Sequence, residues 1–183
     1  FQLKADFVSV NSVPGGGFAS GFGDLKVNVL NAFYVKGRSA MAGAVEFGLP
    51  TASSSIASYA GMGGYLYATP SLTYSYTINP GLMTAIQPQY SFNLAKNVNY
   101  PDMSMLTVRM FVAKFFKSGF FFVLEPRPMY DFKNERFDFI ISPILGQALG
   151  AGYNLIFLSE IYTKPSSAHA KGNVFQFGLN KSF

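Results

Sequence analysis

The stretch that decides the fold is the end of the sequence, Asn173-Val174-Phe175-Gln176-Phe177-Gly178-Leu179-Asn180-Lys181-Ser182-Phe183. Its odd positions from 175 onward carry Phe, Phe, Leu, Lys and Phe, whereas most of its even positions are polar or small. Successive side chains of a strand point to opposite faces, so this period of two predicts a strand with one apolar and one polar face.

The same stretch resembles the C-terminal signature of bacterial outer-membrane β-barrel proteins, which the barrel-assembly machinery reads. In such barrels the closing strand presents alternate apolar residues to lipid. The positions that carry the resemblance are Phe175, Phe177, Leu179 and Phe183. Lys181 departs from the pattern, because an apolar residue is usual there, but a lysine near lipid headgroups can snorkel. The resemblance implies a bacterial outer-membrane location, with lipopolysaccharide and phospholipid as neighbours.

Composition favours the same class of protein. The 183 residues suffice for a single domain, 1–183. Cysteine is absent and His169 is the sole histidine, so we expect no metal site, no cofactor and no enzymatic activity. Charged residues make up 13%, against roughly 25% in soluble domains, while aromatics reach 17%. A surface this apolar suits lipid better than water.

Ten segments of the sequence alternate or have the length of a tilted membrane strand. They are 2–10, 23–35, 39–49, 64–77, 82–94, 103–115, 119–130, 136–146, 152–162 and 173–183. Short turns alternate with longer links between them, as in outer-membrane barrels with tight periplasmic turns and longer outer loops. We therefore predict an all-β fold, a closed antiparallel up-and-down transmembrane β-barrel of about ten strands, or twelve if strands precede residue 1.

Two features of these segments predict local irregularity. Pro126 and Pro128 each delete a backbone donor, so segment 119–130 should be bulged or poorly paired near its outer end. Asn31 would face lipid unless a bulge intervenes.

A membrane helix is the main alternative for residues 139–159, which contain no charged residue. However, Pro143, Gly146, Gly150 and Gly152 interrupt this stretch. We predict two strands joined by a tight turn.

The alternation predicts that most strand charges point into the barrel, because a lipid-facing Arg or Lys at mid-depth costs about 2–4 kcal/mol. These charges are Lys26, Glu46, Arg109, Glu125, Arg127, Arg136, Asp138 and Glu160. Matching the faces of neighbouring strands predicts three pairs, Arg109 with Glu125, Arg127 with Asp138, and Arg136 with Glu160. Such pairs either neutralise one another and plug a narrow interior, or form a charged constriction that selects solutes.

A second group of cations is predicted at the periplasmic rim, with no acid among them. It comprises Lys36, Arg38, Lys114, Lys117 and Lys181. These side chains either hold anionic headgroups or simply snorkel. The net charge of +5 does not indicate a nucleic-acid partner, because no basic helix or basic-aromatic platform accompanies it.

A rim hydrolase is a further alternative, since Ser166, Ser167 and His169 lie together in the last long link. That link lacks the acid needed to orient the histidine, so unrelated loop serines are the simpler interpretation.

Two short motifs, Gly21-Phe22-Gly23-Asp24-Leu25-Lys26-Val27-Asn28 and Gly48-Leu49-Pro50-Thr51, resemble a family of outer-membrane transporters associated with the meta-pathway of phenol degradation. The resemblance implies a barrel that admits or binds small, often hydrophobic solutes. Two other functions stay open: a plugged structural barrel that anchors a partner protein, a second copy or lipid, and the rim hydrolase.

Overall fold

The protein is all-β in a computed structural model that describes residues 2–5, 7–10, 19–56, 63–163 and 174–181. These ranges contain twelve strands in chain order. They are β1 (Gln2–Lys4), β2 (Phe7–Val10), β3 (Ala19–Phe22), β4 (Leu25–Lys36), β5 (Ser39–Leu49), β6 (Tyr65–Asn79), β7 (Leu82–Lys96), β8 (Ser104–Phe115), β9 (Phe120–Asp131), β10 (Arg136–Gly150), β11 (Tyr153–Tyr162) and β12 (Val174–Lys181).

Ten of these strands form one antiparallel sheet, ordered β1-β4-β5-β6-β7-β8-β9-β10-β11-β12. From β4 onward each strand pairs with the next in sequence, so the sheet is an up-and-down meander curled into a half-barrel. The predicted number of strands in the sheet and the up-and-down order are confirmed. Within the described ranges, β1 and β12 are the two edges and no pairing joins them. Closure of the barrel therefore stays a prediction.

The first predicted strand, 2–10, is wrong in its extent. Only Gln2–Lys4 pairs with β4, from Gln2 opposite Asn28 to Lys4 opposite Lys26. Phe7–Val10 instead pairs with Ala19–Phe22, most of which we had predicted to be a loop. The reason is that β4 begins at Leu25, so the chain beyond Lys4 has no partner in the large sheet and forms its own hairpin.

The apolar segment 139–159 forms strands, as predicted. It contributes most of β10 and β11, which are joined by a turn whose residues Gly150, Ala151 and Gly152 have φ values of 86°, 49° and 78°. Left-handed conformations of this kind suit glycine and end a strand abruptly. Elsewhere in the described ranges, too, no helix has the length and apolarity to span a membrane.

The two faces of the sheet differ in chemistry. We define the inner face as the one that carries Glu125; strand pairing places every predicted lumen charge on it, from Lys26 of β4 to Glu160 of β11. The outer face carries large apolar side chains that are 36% exposed or more. Examples are Leu72, Ile86, Val112, Leu145 and Leu155. Polar residues lie within the curl and apolar residues outside, the inverse of a water-soluble sheet.

A bulge occurs in β4, but it lies after Asn31 and so does not turn Asn31 away from the outer face. The register between β4 and β5 shifts between Ala32 and Tyr34, after Asn31. Asn31 therefore stays on the outer face, opposite Gly43.

Aromatic rings fill the inner face where glycine leaves room for them. A Cβ added to Gly146 would lie 2.0 Å from the Phe121 ring, and one added to Gly48 would lie 1.9 Å from the Tyr67 ring. Gly146 also shares one cross-strand row with Ile156 and Gly178. A Cβ on Gly178 would meet nothing within 4 Å.

This row provides a matched pair of substitutions. Gly146→Ala is expected to destabilise the fold by about 1–3 kcal/mol, because the ring of Phe121 must leave its place. Gly178→Ala should change stability by less than about 0.5 kcal/mol. Unfolding by denaturant, followed by circular dichroism, compares the two; equal losses would show that Phe121 does not pack on Gly146.

Candidate functional site

The inner face of β8 to β11 carries a continuous chain of hydrogen-bonded charges. Arg109 holds Glu125 through two bonds, Nε to Oε1 at 2.5 Å and Nη2 to Oε2 at 2.9 Å. Arg127 donates from Nε to Oε1 of Glu125 at 2.9 Å and from Nη1 to Oε1 of Glu160 at 2.6 Å. The predicted pairing of Arg109 with Glu125 is confirmed. We call Arg109, Glu125, Arg127 and Glu160 the charge relay.

The register of the strands explains why the relay forms. Thr107 pairs with Met129 and Val112 with Leu124, so Arg109 lies directly opposite Arg127. Like charges in that position repel each other. The carboxylate of Glu125, two residues before Arg127 on the same face of β9, neutralises part of the positive charge of both arginines. Glu125 is therefore the group on which the relay depends.

Burial makes the relay energetically demanding. The side chain of Glu125 is 0% exposed, that of Arg127 is 14% exposed and that of Glu160 is 22% exposed. A buried charge that loses its partner is strongly destabilising, whereas a complete network is tolerated. The two arginines and two glutamates sum to zero charge, and Arg109, at 30%, is the member most open to the interior.

Two of the predicted ion pairs are wrong in their partners. Arg127 forms its ion pair across β10 with Glu160, not with Asp138. Ser142 of β10 lies between Arg127 and Glu160, and it is short enough for the guanidinium to pass and accepts a bond from Arg127 at 3.4 Å. Arg136 pairs within its own strand, with Nε 3.1 Å from Oδ2 of Asp138. The prediction named the right residues but assumed that each would bond only to the adjacent strand.

A second inner-face cluster lies near the edge of the sheet at β1. Lys4 Nζ is 3.1 Å from Oε2 of Glu46 and sits opposite Lys26 in the strand pairing. Lys26 and Glu46 were predicted on this face, but Lys4 was missed. Leu3, the neighbour of Lys4, is 60% exposed on the outer face. The alternation of an apolar Leu3 with a polar Lys4 in the sequence could therefore have indicated that Lys4 points inward.

The inner face changes character toward the short turns. There it carries Phe111, Phe115, Phe121, Val123 and Ile144, and the rings of Phe115 and Phe121 lie 5.9 Å apart. The guanidinium of Arg109 stands 5.0 Å from the centre of the Phe111 ring, at the boundary between the charged and the apolar halves. Sequence reasoning missed this apolar half, since it treated inward positions as polar.

Prolines interrupt three ladders of the sheet, and side chains bridge each gap. Between β8 and β9 no pairs join Val108–Phe111 to Glu125–Pro128, although the register is the same on both sides. Strand β9 is thus poorly paired there, as predicted, but it is not bulged. The bridges are Arg109–Glu125 across β8–β9, Thr69–Ser91 at 2.9 Å across β6–β7, and Ser159 to the Pro143 carbonyl at 3.5 Å across β10–β11.

The two motifs that carry the family resemblance meet at the end of the sheet opposite the short turns. Oδ1 of Asp24 accepts the backbone N–H groups of Thr51 and Ala52 at 3.0 Å each, and Oδ2 accepts that of Gly63 at 3.0 Å. Oγ1 of Thr51 in turn accepts the N–H of Leu25 at 2.8 Å. Asp24 therefore holds together the two described ends of the link between β5 and β6, at Thr51–Ala52 and at Gly63.

The predicted rim cations fall at one end of the sheet, the end with the short turns. Lys36 and Arg38 flank the β4–β5 turn, Lys114 lies opposite Leu82, and Lys117 is in the β8–β9 turn. The backbone of Lys181 pairs with Tyr153 at the same end, while its side chain lies outside the described part of the chain.

Aromatic side chains gather at both ends of the strands. At the end of the sheet opposite the short turns, the ring of Phe132 lies 4.9 Å from that of Tyr130 and 6.2 Å from that of Tyr90. At the short-turn end the rings of Phe116 and Phe120 are 5.6 Å apart. This arrangement agrees with the two aromatic girdles of a membrane barrel.

The C-terminal strand forms as the alternation predicts. Phe175 and Phe177 are 66% and 80% exposed on the outer face, and the ring centre of Phe177 lies 4.8 Å from that of Phe157 of β11, with the two rings tilted by 48°. The backbone of Leu179 pairs with that of Leu155. Phe183, and the possible rim site of Ser166, Ser167 and His169, lie outside the described residues.

Fold and site together define a class: an antiparallel up-and-down β-sheet protein with an apolar exterior and a charged interior wall. Comparison with protein-family models, with curated proteins and with solved structures returned no match.

Proposed function

We propose that this chain is a β-barrel of a bacterial outer membrane that lets small solutes pass or binds them, without catalysis. The observation that carries this proposal is the inverted distribution of side chains. Large apolar groups such as Leu72, Ile86 and Val112 are exposed on the outer face, and the charge relay is buried on the inner face. Hydrocarbon is the solvent that favours this arrangement.

A membrane location also requires that the sheet have no open edge. Each unpaired backbone N–H or C=O group in lipid costs several kcal/mol, so membrane-spanning sheets close. In this proposal the barrel closes through its two edge strands, β1 and β12. The barrel-assembly machinery then recognises β12, whose outward Phe175 and Phe177 match the signature that it reads.

The interior suggests the class of solute. Its outer half carries the charge relay, and its short-turn half carries Phe111, Phe115 and Phe121. A solute that passes both halves must be small and tolerate both a polar and an aromatic wall. This agrees with the small, often hydrophobic compounds that the family resemblance implies.

A plugged, purely structural barrel is the second candidate, and one observation favours it. Glu125 is completely buried and neutralised by two arginines, which is how side chains fill a narrow interior. Such a barrel would serve as an anchor for a partner protein, a second copy or lipid. In either case the rim cations Lys36, Arg38, Lys114, Lys117 and Lys181 would face anionic phospholipid headgroups, and the opposite end would face lipopolysaccharide.

Conductance across a planar lipid bilayer separates the two functions. A solute-passing barrel should give discrete openings, and Arg109→Ala combined with Arg127→Ala should shift its ion selectivity toward cations, because two interior positive charges are lost. Arg38→Ala, which removes a cation at the turn, is the control and should leave selectivity nearly unchanged. Absence of openings would favour the plugged barrel. Openings with unchanged selectivity would show that the charge relay does not line the path of the ions.

A further inference from the structure

The contact between β8 and β9 is the longest break in the hydrogen-bond ladder among the strands described. Val108 pairs with Pro88 on β7, and proline has no N–H, so that pair is of the non-hydrogen-bonded kind. The polar backbone groups of Val108 therefore point the other way, toward Pro128. Met110 likewise points toward Pro126. Neither proline can donate, so the carbonyls of Val108 and Met110 receive no ladder bond from β9.

A side-chain clamp spans this break on the inner face. The two bonds of Arg109 to Glu125 cross from β8 to β9 at the unpaired positions. Below and above them the ladder resumes, with Val112 opposite Leu124 and Thr107 opposite Met129. The clamp thus joins β8 to β9 at the positions where the prolines remove backbone donors.

An apolar groove lies over the same break on the outer face. It has a volume of about 460 Å³ and extends from β6 to β9. Its lining includes Tyr74, Ile86, Met110, Val112 and Pro126. This volume lies within the range typical of small-molecule sites.

We infer that the β8–β9 seam is a lateral opening in the barrel wall, latched by Arg109 and Glu125, through which apolar molecules of the bilayer reach the interior. The inference rests on the proposed function, since it places the outer face in hydrocarbon. The opening is about 13 Å long, the rise of four strand residues. An apolar molecule enters from the groove and meets Phe111 on the inner side, while separation of the latch lets the strands part.

Amide hydrogen exchange of the protein folded in lipid nanodiscs, resolved by residue with nuclear magnetic resonance, tests the seam. The amides of Val108 and Met110 face β9, whereas those of Thr107 and Arg109 face the continuous ladder with β7. The N–H groups of Val108 and Met110 keep the carbonyls of Pro128 and Pro126 as acceptors, but the carbonyls of Val108 and Met110 lack their own ladder bonds. Because those missing bonds lower the cost of local opening, the first two amides should exchange about tenfold faster than the second two.

Three variants, one of them a control, test the direction of the effect. Arg109→Lys keeps the charge but loses the two-bond fork, so exchange at Val108 and Met110 should rise further. Pro126→Ala with Pro128→Ala restores both donors and should slow these amides to the rate of Thr107. Pro88→Ala, the matched control, restores a donor to the β6–β7 ladder and should leave them unchanged. Equal rates in the original protein, or no response to the double alanine variant, would overturn the seam.

A tryptophan reporter tests whether the seam leads to lipid. The chain contains no tryptophan, so Gln89→Trp introduces a single fluorophore on the inner face, opposite Thr107. Lipids with brominated acyl chains should quench it, and Pro126→Ala with Pro128→Ala should abolish that quenching. An outer-face reporter, Ile86→Trp, must be quenched in both backgrounds if the barrel is in the bilayer at all. Quenching of Ile86→Trp alone would refute the lateral opening and leave the proposed function standing; quenching of neither reporter would refute both.

Discussion

Replacing Glu125 with glutamine is expected to lower the free energy of unfolding by about 3–5 kcal/mol, the range for breaking a buried ion pair. The substitution preserves shape but removes the negative charge that Arg109 and Arg127 share. Those two arginines lie opposite each other, so their repulsion adds to the cost of leaving them without a carboxylate. Denaturant unfolding in detergent micelles, followed by circular dichroism, measures the loss.

The control for this prediction is an exposed ion pair of the same protein. Lys96 Nζ lies 2.9 Å from Oδ1 of Asp102, with side chains 30% and 51% exposed. The hydrogen bond from Lys96 lowers the pKa of the Asp102 carboxyl, so this carboxyl is ionised at neutral pH. Asp102→Asn should nevertheless lower stability far less than Glu125→Gln, because solvent screens an exposed ion pair. If Glu125→Gln costs no more than Asp102→Asn, the charge relay is not the buried network described above.

An arginine on the outer face should disrupt folding in lipid, while one on the inner face should be tolerated. Leu72 and Thr73 are neighbours at the middle of β6, and Leu72 points outward, 45% exposed. Leu72→Arg is expected to cost about 2–4 kcal/mol, because it places a charge near the bilayer midplane. Thr73→Arg points into the interior and should cost far less. Unfolding by guanidinium in phosphatidylcholine vesicles compares the two.

The same pair distinguishes a membrane barrel from a water-soluble sheet. In water an exposed Leu72 is a surface residue, and its replacement by arginine should change stability by no more than about 0.5 kcal/mol. Thr73, on the less exposed face, would then be the more damaging site. An inverted order of the two losses would therefore contradict a lipid-facing outer surface.

Alternation was sufficient to predict the strands from β6 onward, whereas β4 and β5 alternate less cleanly and were predicted also from their length and the short turn between them. A period of two is strong in segments such as 82–94, where the even residues are apolar, and the structure places β7 at Leu82–Lys96. Alternation gave the wrong extent for the first strand, 2–10. The pattern of these residues does not reveal that the chain after Lys4 has no partner in the large sheet. Pairing partners depend on where the neighbouring strand begins, which local alternation does not encode.

The charged residues of the inner face were predictable, but their partners were not. The tight turn of the β8–β9 hairpin placed Arg109 close to Glu125, although the register sets Arg109 directly opposite Arg127 and its bonds reach Glu125 diagonally. The reach of Arg127 across Ser142 to Glu160 depends on side-chain length and on the small size of Ser142, which pairwise register omits. The apolar half of the interior was missed because its residues, such as Phe121, fit only where Gly146 leaves room.

Insertion into lipid is the most direct test of the inverted sheet. The purified chain is refolded into phosphatidylcholine vesicles and run on a denaturing gel with and without prior boiling, alongside Leu72→Arg. A closed barrel resists the detergent, so the unboiled sample should migrate faster than the boiled one, and the variant should show less of the fast form. A chain that stays monodisperse in buffer without lipid or detergent, and migrates identically in both lanes, would contradict a lipid-facing exterior.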